Sequence, residues 1–511
     1  MLVVDDNSPD GTFAILKDLS TKLEGRLVII CRPRKLGLGS AHKLGMKYAL
    51  RMGYKALITM DADYSHHPKY LQILKNELQR ADFVIGSRYV RGGCCDYRFT
   101  RQFVSRCANT LARALLGIPL RETTTSFRGF NQSLLRQIPI NKIQAEGYAF
   151  FFESILHATR HARKASEIPI HFEDRRAGTS KISKKEIVRA VFHLIRLSLV
   201  RMLRRIPSIK MQVPEDVEDS CDLCGYTLTT EIYPARNIGH QADTYRCTTG
   251  QHGSHGRITR CLVCGLVATN PKLSQKKLNL LYSQVSDEVY VKNIQSRIKT
   301  FRFNFERIRQ FLPSRGFLLD VGSYYGVFLN EARKLGYTVS GVEPSLSACK
   351  YARVKFNVDV LCGTLSDRKA YDDCDIVTSW DVLEHCFSPS DEVGRIVRCL
   401  KVGGKFAFCT LNWRNWYARL LGEKWPWLID MHLYYFDDDV INDLLSRHGF
   451  KMVYKTTYRH VITVDYFLQK LHLLGVPLVN FLRPLLNATS LRHVMIPFYF
   501  GDIRMYVAEK V

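Results

Sequence analysis

The sequence predicts two α/β domains joined by a short cysteine-rich segment. Three observations carry this reading. The 511 residues exceed what one hydrophobic core usually holds, since domains run about 100 to 200 residues. Short apolar runs alternate with helical patterns twice, once in each half, which argues for parallel sheets covered by helices. Between the halves stand two Cys-x-x-Cys pairs, Cys221/Cys224 and Cys261/Cys264. With 46% hydrophobic and 24% charged residues, the composition is that of an ordinary globular protein and excludes a disordered or fibrous chain.

In the first half the apolar run LVVDD precedes a helix from about Thr12, RLVIICRP one from about Ser40, and KALITMDAD one from about Pro68; DFVIGSRY follows. Ligands of such sheets bind at the carboxyl ends of the strands, and the region keeps its acidic and basic residues there. From Lys181 to Lys210 there are nine Lys/Arg and one acidic residue. Val188, Val191, Phe192, Ile195, Leu199 and Met202 share one helical face, with Arg189, Arg196 and Arg204 on the other. Two readings stand: a basic amphipathic helix for a membrane surface, or a helix packed on its own domain with a solvated basic face.

MQVPEDVEDS changes the sign of the charge and carries Pro214, which marks the main boundary. The expected domains are 1–210, a cysteine segment 216–275, and 276–511. After a helical stretch to about Phe311, FLLDVG, YTVSGVEP, DIVTSWDVLEH and GGKFAFCTL restore strand-helix alternation. The two α/β halves carry different motifs, and no internal repeat relates them.

The formal charge of +26 and a pI near 9.5 draw the protein toward phosphates in nucleotides, anionic lipid or nucleic acid. Nucleic acid is the weaker reading, because no helix-turn-helix, RNA-binding or paired-histidine zinc-finger pattern is present. Fifteen cysteines are an odd count in a long chain whose N-terminus reads as a strand, so a reducing cytoplasm is expected rather than a disulfide framework. No apolar run reaches the roughly 18 residues that span a bilayer. The run from Leu471 to Leu482 is short and holds His472 and Pro477. Membrane contact is therefore expected to be peripheral.

Six strings in order resemble the dolichol-phosphate mannosyltransferases and related polyprenyl-phosphate glycosyltransferases of the inverting nucleotide-sugar type. They are VVDDNSPDGT (Val3–Thr12), DADYSHHPK (Asp61–Lys69), GSRYVRGG (Gly86–Gly93), TTTSFRGF (Thr123–Phe130), EGYAFFFE (Glu146–Glu153) and EDRRAGTSK (Glu173–Lys181). The resemblance covers nearly all of residues 1 to 190 and implies a GT-A, Rossmann-like domain that uses a nucleotide-sugar donor and a polyprenyl-phosphate or glycolipid acceptor. The family starts one strand and one helix earlier, so its first strand is expected to be missing here.

A leaving diphosphate is usually neutralised by a hard divalent cation on carboxylate oxygens. Asp61 and Asp63, two apart after an apolar strand, suit Mg²⁺ or Mn²⁺; an Asp-x-Asp at a strand end also serves as a cap or turn. The resemblance favours the metal. It also places Asp5 and Asp6 at the nucleotide, Arg88, Arg101 and Arg106 at the acceptor phosphate, and Arg175 and Lys181 near the diphosphate. Glu122 stands where the family has Asp.

Two thiolate pairs suit a closed tetrahedral zinc site; a redox pair is the alternative, and one redox site would need only one pair. Cys247, His252 and His255 lie between the pairs and are read as loop positions rather than ligands. ITRCLVCGLVATNP resembles the zinc-binding lead-in of methyltransferases that act on sugars and related metabolites. Residues 319–326, LDVGSYYG, join a strand to a helix with Gly322 and Gly326 placed for close ligand approach. An NAD fingerprint shares those glycines, but Glu343 in GVEP and the string SWDVLEH fit better with class I methyltransferases using S-adenosylmethionine.

That second resemblance covers about residues 296–460, including KVGGK and HLYYF. It implies a cofactor site of Asp320, Gly322, Gly326, Glu343 on the ribose, and Asp381, with Glu384 and His385 beside the transfer site. Tyr324 replaces the loop's usual middle glycine. His385 and His432 are candidates for a base or for packing. The leading expectation is a bifunctional, cytoplasmic, peripheral membrane enzyme. The rival is an active methyltransferase carrying a noncatalytic glycan- or membrane-binding module.

Overall fold

The structure is a computed structural model describing residues 1–97, 99–143, 145, 147, 149–173, 192–198, 219–236, 242–248, 253–367, 373–464, 468, 494–499 and 501–511. The chain divides into two compact units. The first is Met1–Asp216 with Leu228–Ile232 and Arg260–Gly265; the second is Val217–Thr227, Tyr233–Thr259 and Leu266–Val511.

The first unit opens with β1 (Leu2–Asp5), α1 (Thr12–Lys22) and β2 (Val28–Cys31), the two strands pairing in parallel. Next come α2 (Leu38–Arg51), β3 (Ala56–Thr59), α3 (Tyr70–Glu77) and β4 (Phe83–Ser87), in the order the sequence pattern predicts. They are followed by β5 (Cys94–Cys95), α4 (Phe99–Leu116), β6 (Arg128–Asn131), α5 (Gln132–Gln137), α6 (Ala149–His161), β7 (Ala165–Pro169) and β8 (His171–Phe172).

The main sheet has the order β3-β6-β4-β7, and here the expectation of a parallel sheet is corrected. β6 lies antiparallel between β3 and β4, whereas β4 and β7 run parallel. The four residues RGFN give too short a pattern to read. Gly129 in their midst approaches α3 so closely that a Cβ would stand 2.8 Å from Leu78. β4 is buried on both faces, as alternation in a covered strand requires. Phe83 and Ile85 pack with Phe130 and the Phe150–Phe152 run of α6, and Val84 packs with Leu74, Phe127 and Ile168 on the other side.

The helical face expected around Phe192 and Ile195 is also corrected within the described residues. Residues 192–198 are helical, but Phe192 and Ile195 point to solvent while Leu194 and Leu197 join the core. Packing against that core selects a face about half a turn from the one the wider apolar pattern suggests.

Between the α/β patterns lie β9 (Thr229–Tyr233), β10 (Ile258–Cys261) and β11 (Val267–Thr269). The second unit continues with α7 (Gln275–Ser283), α8 (Glu288–Lys292), α9 (Ile294–Ile308), β12 (Phe317–Val321), α10 (Val327–Lys334), β13 (Thr338–Glu343), α11 (Leu346–Phe356), β14 (Asp359–Cys362) and β15 (Cys374–Trp380). It ends with α12 (Pro389–Cys399), β16 (Leu400–Leu411), α13 (Trp416–Leu421), β17 (Tyr434–Tyr435), α14 (Asp438–Arg447), β18 (Phe450–Thr457), β19 (His460–Thr463), β20 (Met495–Phe498) and β21 (Ile503–Lys510).

Seven strands form one sheet, β14-β13-β12-β15-β16-β21-β18. The first five are parallel, and β21 inserts antiparallel between β16 and β18. Leu318, Leu319, Ile376 and Val377 are fully buried, the signature of strands covered on both faces. From β12 the chain runs outward one way through β13 and β14, then returns to build β15 and β16 on the other side. The crevice at the carboxyl ends of β12 and β15 is thus the switch point where such sheets bind ligands.

Candidate active sites

In the first unit Asp5 and Asp63 are held within their own turns, and Asp6 and Asp61 by residues distant in the chain. Asp5 ends β1 and accepts the Ser8 backbone N–H at 3.2 Å and hydroxyl at 2.6 Å. Asp6 pairs with Arg32, whose guanidinium is fully buried just after β2. Asp61 follows β3, and its Oδ1 accepts the Ser126 hydroxyl at 2.6 Å. The Asp61 backbone N–H donates to His66 Nδ1 at 3.0 Å. The His66 proton therefore sits on Nε2, which faces Thr125 Oγ1 at 3.0 Å. Burial pushes the His66 pKa down against the pull of Asp61 and Asp63, so this ring is neutral. Asp63 accepts both the backbone N–H and the hydroxyl of Ser65.

The structure thus brings Asp61 and Asp63 into one side-chain-buttressed turn. Among the described residues no third His, Cys, Asp or Glu completes a three-ligand group with them. Two carboxylates, with the remaining positions left to water and phosphate, is the usual provision for Mg²⁺ rather than for a fully protein-caged ion. The donor set fits.

Arg88, at the end of β4, is buried and clamps Glu122 through Nε at 2.8 Å and Nη2 at 2.9 Å. Burial alone would raise the Glu122 pKa, but Arg88 and the Thr124 bonds outweigh it and hold the carboxyl below its ordinary range. Arg88 and Arg106 both lie over the Tyr89 ring, at 5.3 and 5.8 Å. These two members of the expected phosphate-binding set stand together. The Arg101 side chain, Arg175 and Lys181 lie outside the described residues.

The sulfurs of Cys221, Cys224, Cys261 and Cys264 lie within 4.8 Å of one another. After each pair the chain turns back at a left-handed glycine, Gly225 at φ 73° and Gly265 at φ 84°. The Val263 N–H points at Cys261 Sγ at 3.4 Å. Cys247 and His255 do not join this group, and His252 lies outside the described residues.

In the second unit a cavity of ≈ 610 Å³ opens at the switch point. The strand ends supply one wall: Asp320, Gly322, Glu343 and Asp381. Gly322 (φ 74°) and Gly326 (φ 72°) are left-handed, and an added Cβ would meet Val382 at 2.5 Å and Ala352 at 2.7 Å. Only glycine gives this turn. Tyr324 adopts φ 46°, and its ring turns aside onto Tyr290 and Tyr325 at 4.8 and 4.7 Å.

Both oxygens of Glu343 accept backbone N–H groups, from Tyr324 and Ser345, each at 2.8 Å. Burial pushes its pKa up to about 7 against those two bonds. Burial likewise raises Asp320 to about 8, opposed by the Thr378 hydroxyl at 2.6 Å. Ser323 Oγ is buried beside them with no protein partner. A glycine cradle, an orphaned hydroxyl and an acid at the end of the second strand fit the polar ends of S-adenosylmethionine.

The lining also includes Glu384, His385, His432, Tyr417 and Trp427. His385 Nδ1 meets the Met431 carbonyl at 3.0 Å, and burial pushes its pKa down to about 4. Asp381, in a left-handed conformation, accepts from Cys409 Sγ at 3.1 Å, and burial raises its pKa.

Sequence reasoning passed over His66, Ser126 and Arg32. The first two lie inside quoted strings, and the signal was their place beside Asp-x-Asp in the fold, not their spacing. It also passed over α4, whose Phe99, Phe103 and Val104 are exposed at 81%, 60% and 59%. An i, i+4 apolar pair at Phe99 and Phe103 was the available cue.

A family model described as glycosyl transferase family 2 matches residues 1–139, and one described as a methyltransferase domain matches residues 294–455. The polyprenol monophosphomannose synthase of Mycolicibacterium smegmatis is 38% identical over 194 residues, covering 38% of this chain and 73% of that protein. The undecaprenyl-phosphate mannosyltransferase of Micrococcus luteus is 35% identical over 200 residues, 39% of this chain and 82% of that one. A solved S-adenosylmethionine-dependent methyltransferase of Thermotoga maritima aligns with 44% of this chain and 97% of its own at 19% identity, with a TM-score of 0.29.

Proposed function

We propose that this chain, which belongs to glycosyl transferase family 2 and fuses that domain to an S-adenosylmethionine-dependent methyltransferase domain, performs two transfers. One moves a mannose-like sugar from a nucleotide-sugar to a polyprenyl or dolichyl phosphate. The other moves a methyl group from S-adenosylmethionine to a sugar or glycolipid. The observation that carries the first is the buttressed Asp61/Asp63 turn at the end of β3 in a chain whose relatives are named for lipid-phosphate mannosyl transfer.

Mg²⁺ or Mn²⁺ on that turn would neutralise the leaving diphosphate. Ser126 and Ser65 fix the two carboxylates for it. Asp5 and Asp6 hold the nucleotide, Asp6 kept in place by Arg32. A lipid phosphate is largely ionised at neutral pH, its second pKa being about 6, so the acceptor needs positioning more than deprotonation. Arg106, exposed over Tyr89, meets that phosphate together with Arg101, and Arg175 and Lys181 serve the diphosphate. Arg88 braces the site from below through Glu122. No described helix is long and apolar enough to cross a membrane. The exposed Phe99, Phe103 and Val104 of α4, near Arg106, support peripheral contact with an anionic membrane.

The four cysteines hold a structural zinc ion. In the second unit Gly322, Gly326 and Ser323 receive the methionine end of the cofactor, Glu343 the ribose hydroxyls, and Asp320 and Asp381 flank it. His385, unprotonated at neutral pH, faces the methyl acceptor. The test is to supply the purified chain with labelled nucleotide-sugar, polyprenyl phosphate and Mg²⁺. Label should move to the lipid phase and stop with chelator; transfer undiminished in chelator would overturn the metal assignment.

A further inference from the structure

Three donor groups on the acceptor side of the methyltransferase cavity have an arrangement that a proton-transfer role does not explain. Ligand atoms of Glu384, His385 and His432 all lie within 4.8 Å of one another. Two ligands of one metal at about 2.1 Å stand roughly 3 to 4 Å apart, so small side-chain adjustments close this group around an ion. The residues come from distant stretches: a short helical turn after β15, and the segment just before β17.

The surroundings make the stronger argument. His385 Nδ1 faces the Met431 carbonyl at 3.0 Å, and His432 Nδ1 faces the Trp427 carbonyl at 2.8 Å. A carbonyl can only accept, so each ring carries its proton on Nδ1 and its lone pair on Nε2. Glu384 is itself fixed by the Thr410 hydroxyl at 2.7 Å. Metal-binding imidazoles nearly always donate their second N–H to a backbone carbonyl or carboxylate, and metal-binding carboxylates are hydrogen-bonded in turn. All three residues show that pattern, and all three line the cavity.

We propose that Glu384, His385 and His432 form a site for a divalent transition metal of the zinc class, with its remaining positions open to the cavity. Two imidazoles and one carboxylate leave room for exogenous ligands on zinc or on other first-row ions. Those positions take oxygen donors, which a hydroxylated acceptor supplies. The use for methyl transfer rests on the reading of this cavity given above; metal binding itself does not.

The test is cobalt titration of the full-length chain with its thiolate site already filled by zinc. A further equivalent of Co²⁺ should bind, giving visible ligand-field bands without sulfur-to-metal charge transfer. Two exchangeable, paramagnetically shifted ring N–H signals should appear, one from each Nδ1. Altering groups that merely support a metal's ligands costs about 10- to 100-fold in affinity, so Glu384→Gln, His385→Asn and His432→Asn should each weaken cobalt by at least tenfold. Asp18→Asn, at the exposed Lys22 pair on α1, should leave it unchanged. S-adenosylmethionine affinity, read on the same samples, separates loss of metal from loss of the cavity. Absence of the bands and of both N–H signals in the unaltered chain would overturn the site, as would cobalt binding indifferent to all three substitutions.

Discussion

Replacing Glu343 by Ala perturbs the cofactor site at one defined point. Its two oxygens hold the N–H groups of Tyr324 and Ser345 at 2.8 Å each, so the carboxylate shapes the glycine turn as well as taking the ribose role proposed for it. Hydrogen bonds to a charged group are worth about 1.5 to 3 kcal/mol each. Two ribose hydroxyls lose such bonds, and water entering the truncated side chain's space returns part of the loss. A net cost of about 1.5 to 3.5 kcal/mol corresponds to roughly tenfold to a few hundredfold in affinity, at about 1.4 kcal/mol per decade. Calorimetric titration of the full chain with S-adenosylmethionine, and with NAD as control, reads this directly. Unchanged cofactor affinity in Glu343→Ala, or NAD binding where the sulfonium compound does not bind, would refute the assignment.

Cofactor affinity should also respond to pH. Glu343 must be ionised to accept both hydroxyls and titrates near 7, so the dissociation constant should be about tenfold larger at pH 6 than at pH 8; that component should vanish in Glu343→Gln. The same burial holds the proton in the folded state above the ordinary 4.5, so this group's contribution to stability falls as pH rises from there to about 7. Purified chain should contain about one zinc equivalent at the four cysteines, and Cys261→Ser should release it; elemental analysis showing no zinc in freshly reduced protein rejects the site. Glu122→Ala leaves the Arg88 guanidinium buried and unpaired, and should lower the first unit's unfolding free energy by about 3 to 5 kcal/mol; a denaturation midpoint equal to that of the unaltered chain would count against it.

The sequence was most legible where one short string sets both backbone and chemistry. LDVGSYYG and GVEP name Gly322 and Glu343, and the crevice between β12 and β15 brings both to the cavity, while Gly326 packs behind it against Ala352. The two Cys-x-x-Cys pairs likewise converge. What stayed hidden depends on contacts distant in the chain. β6 is four residues long and gains its place by pairing antiparallel with β3 and β4, which no local periodicity encodes. His432 stands beside His385, their rings 4.8 Å apart, although the two lie on different strings. The inward face of residues 192–198 is chosen by the core beneath it, not by the apolar count along the helix. Arg88 read as a phosphate ligand through the family resemblance of GSRYVRGG; its clamp on Glu122 shows only in three dimensions.

Two separate transferase sites on one chain should respond independently to crossed substitutions. Lipid-phase sugar transfer and S-adenosylmethionine affinity are measured side by side on the unaltered chain, Asp63→Ala and Glu343→Ala. Asp63→Ala should abolish the labelled polyprenyl product and leave cofactor affinity unchanged; Glu343→Ala should do the reverse. A chain that forms no lipid-linked sugar before any substitution, or an Asp63→Ala variant that forms it at full rate, would rule out a sugar-transfer site at Asp61 and Asp63.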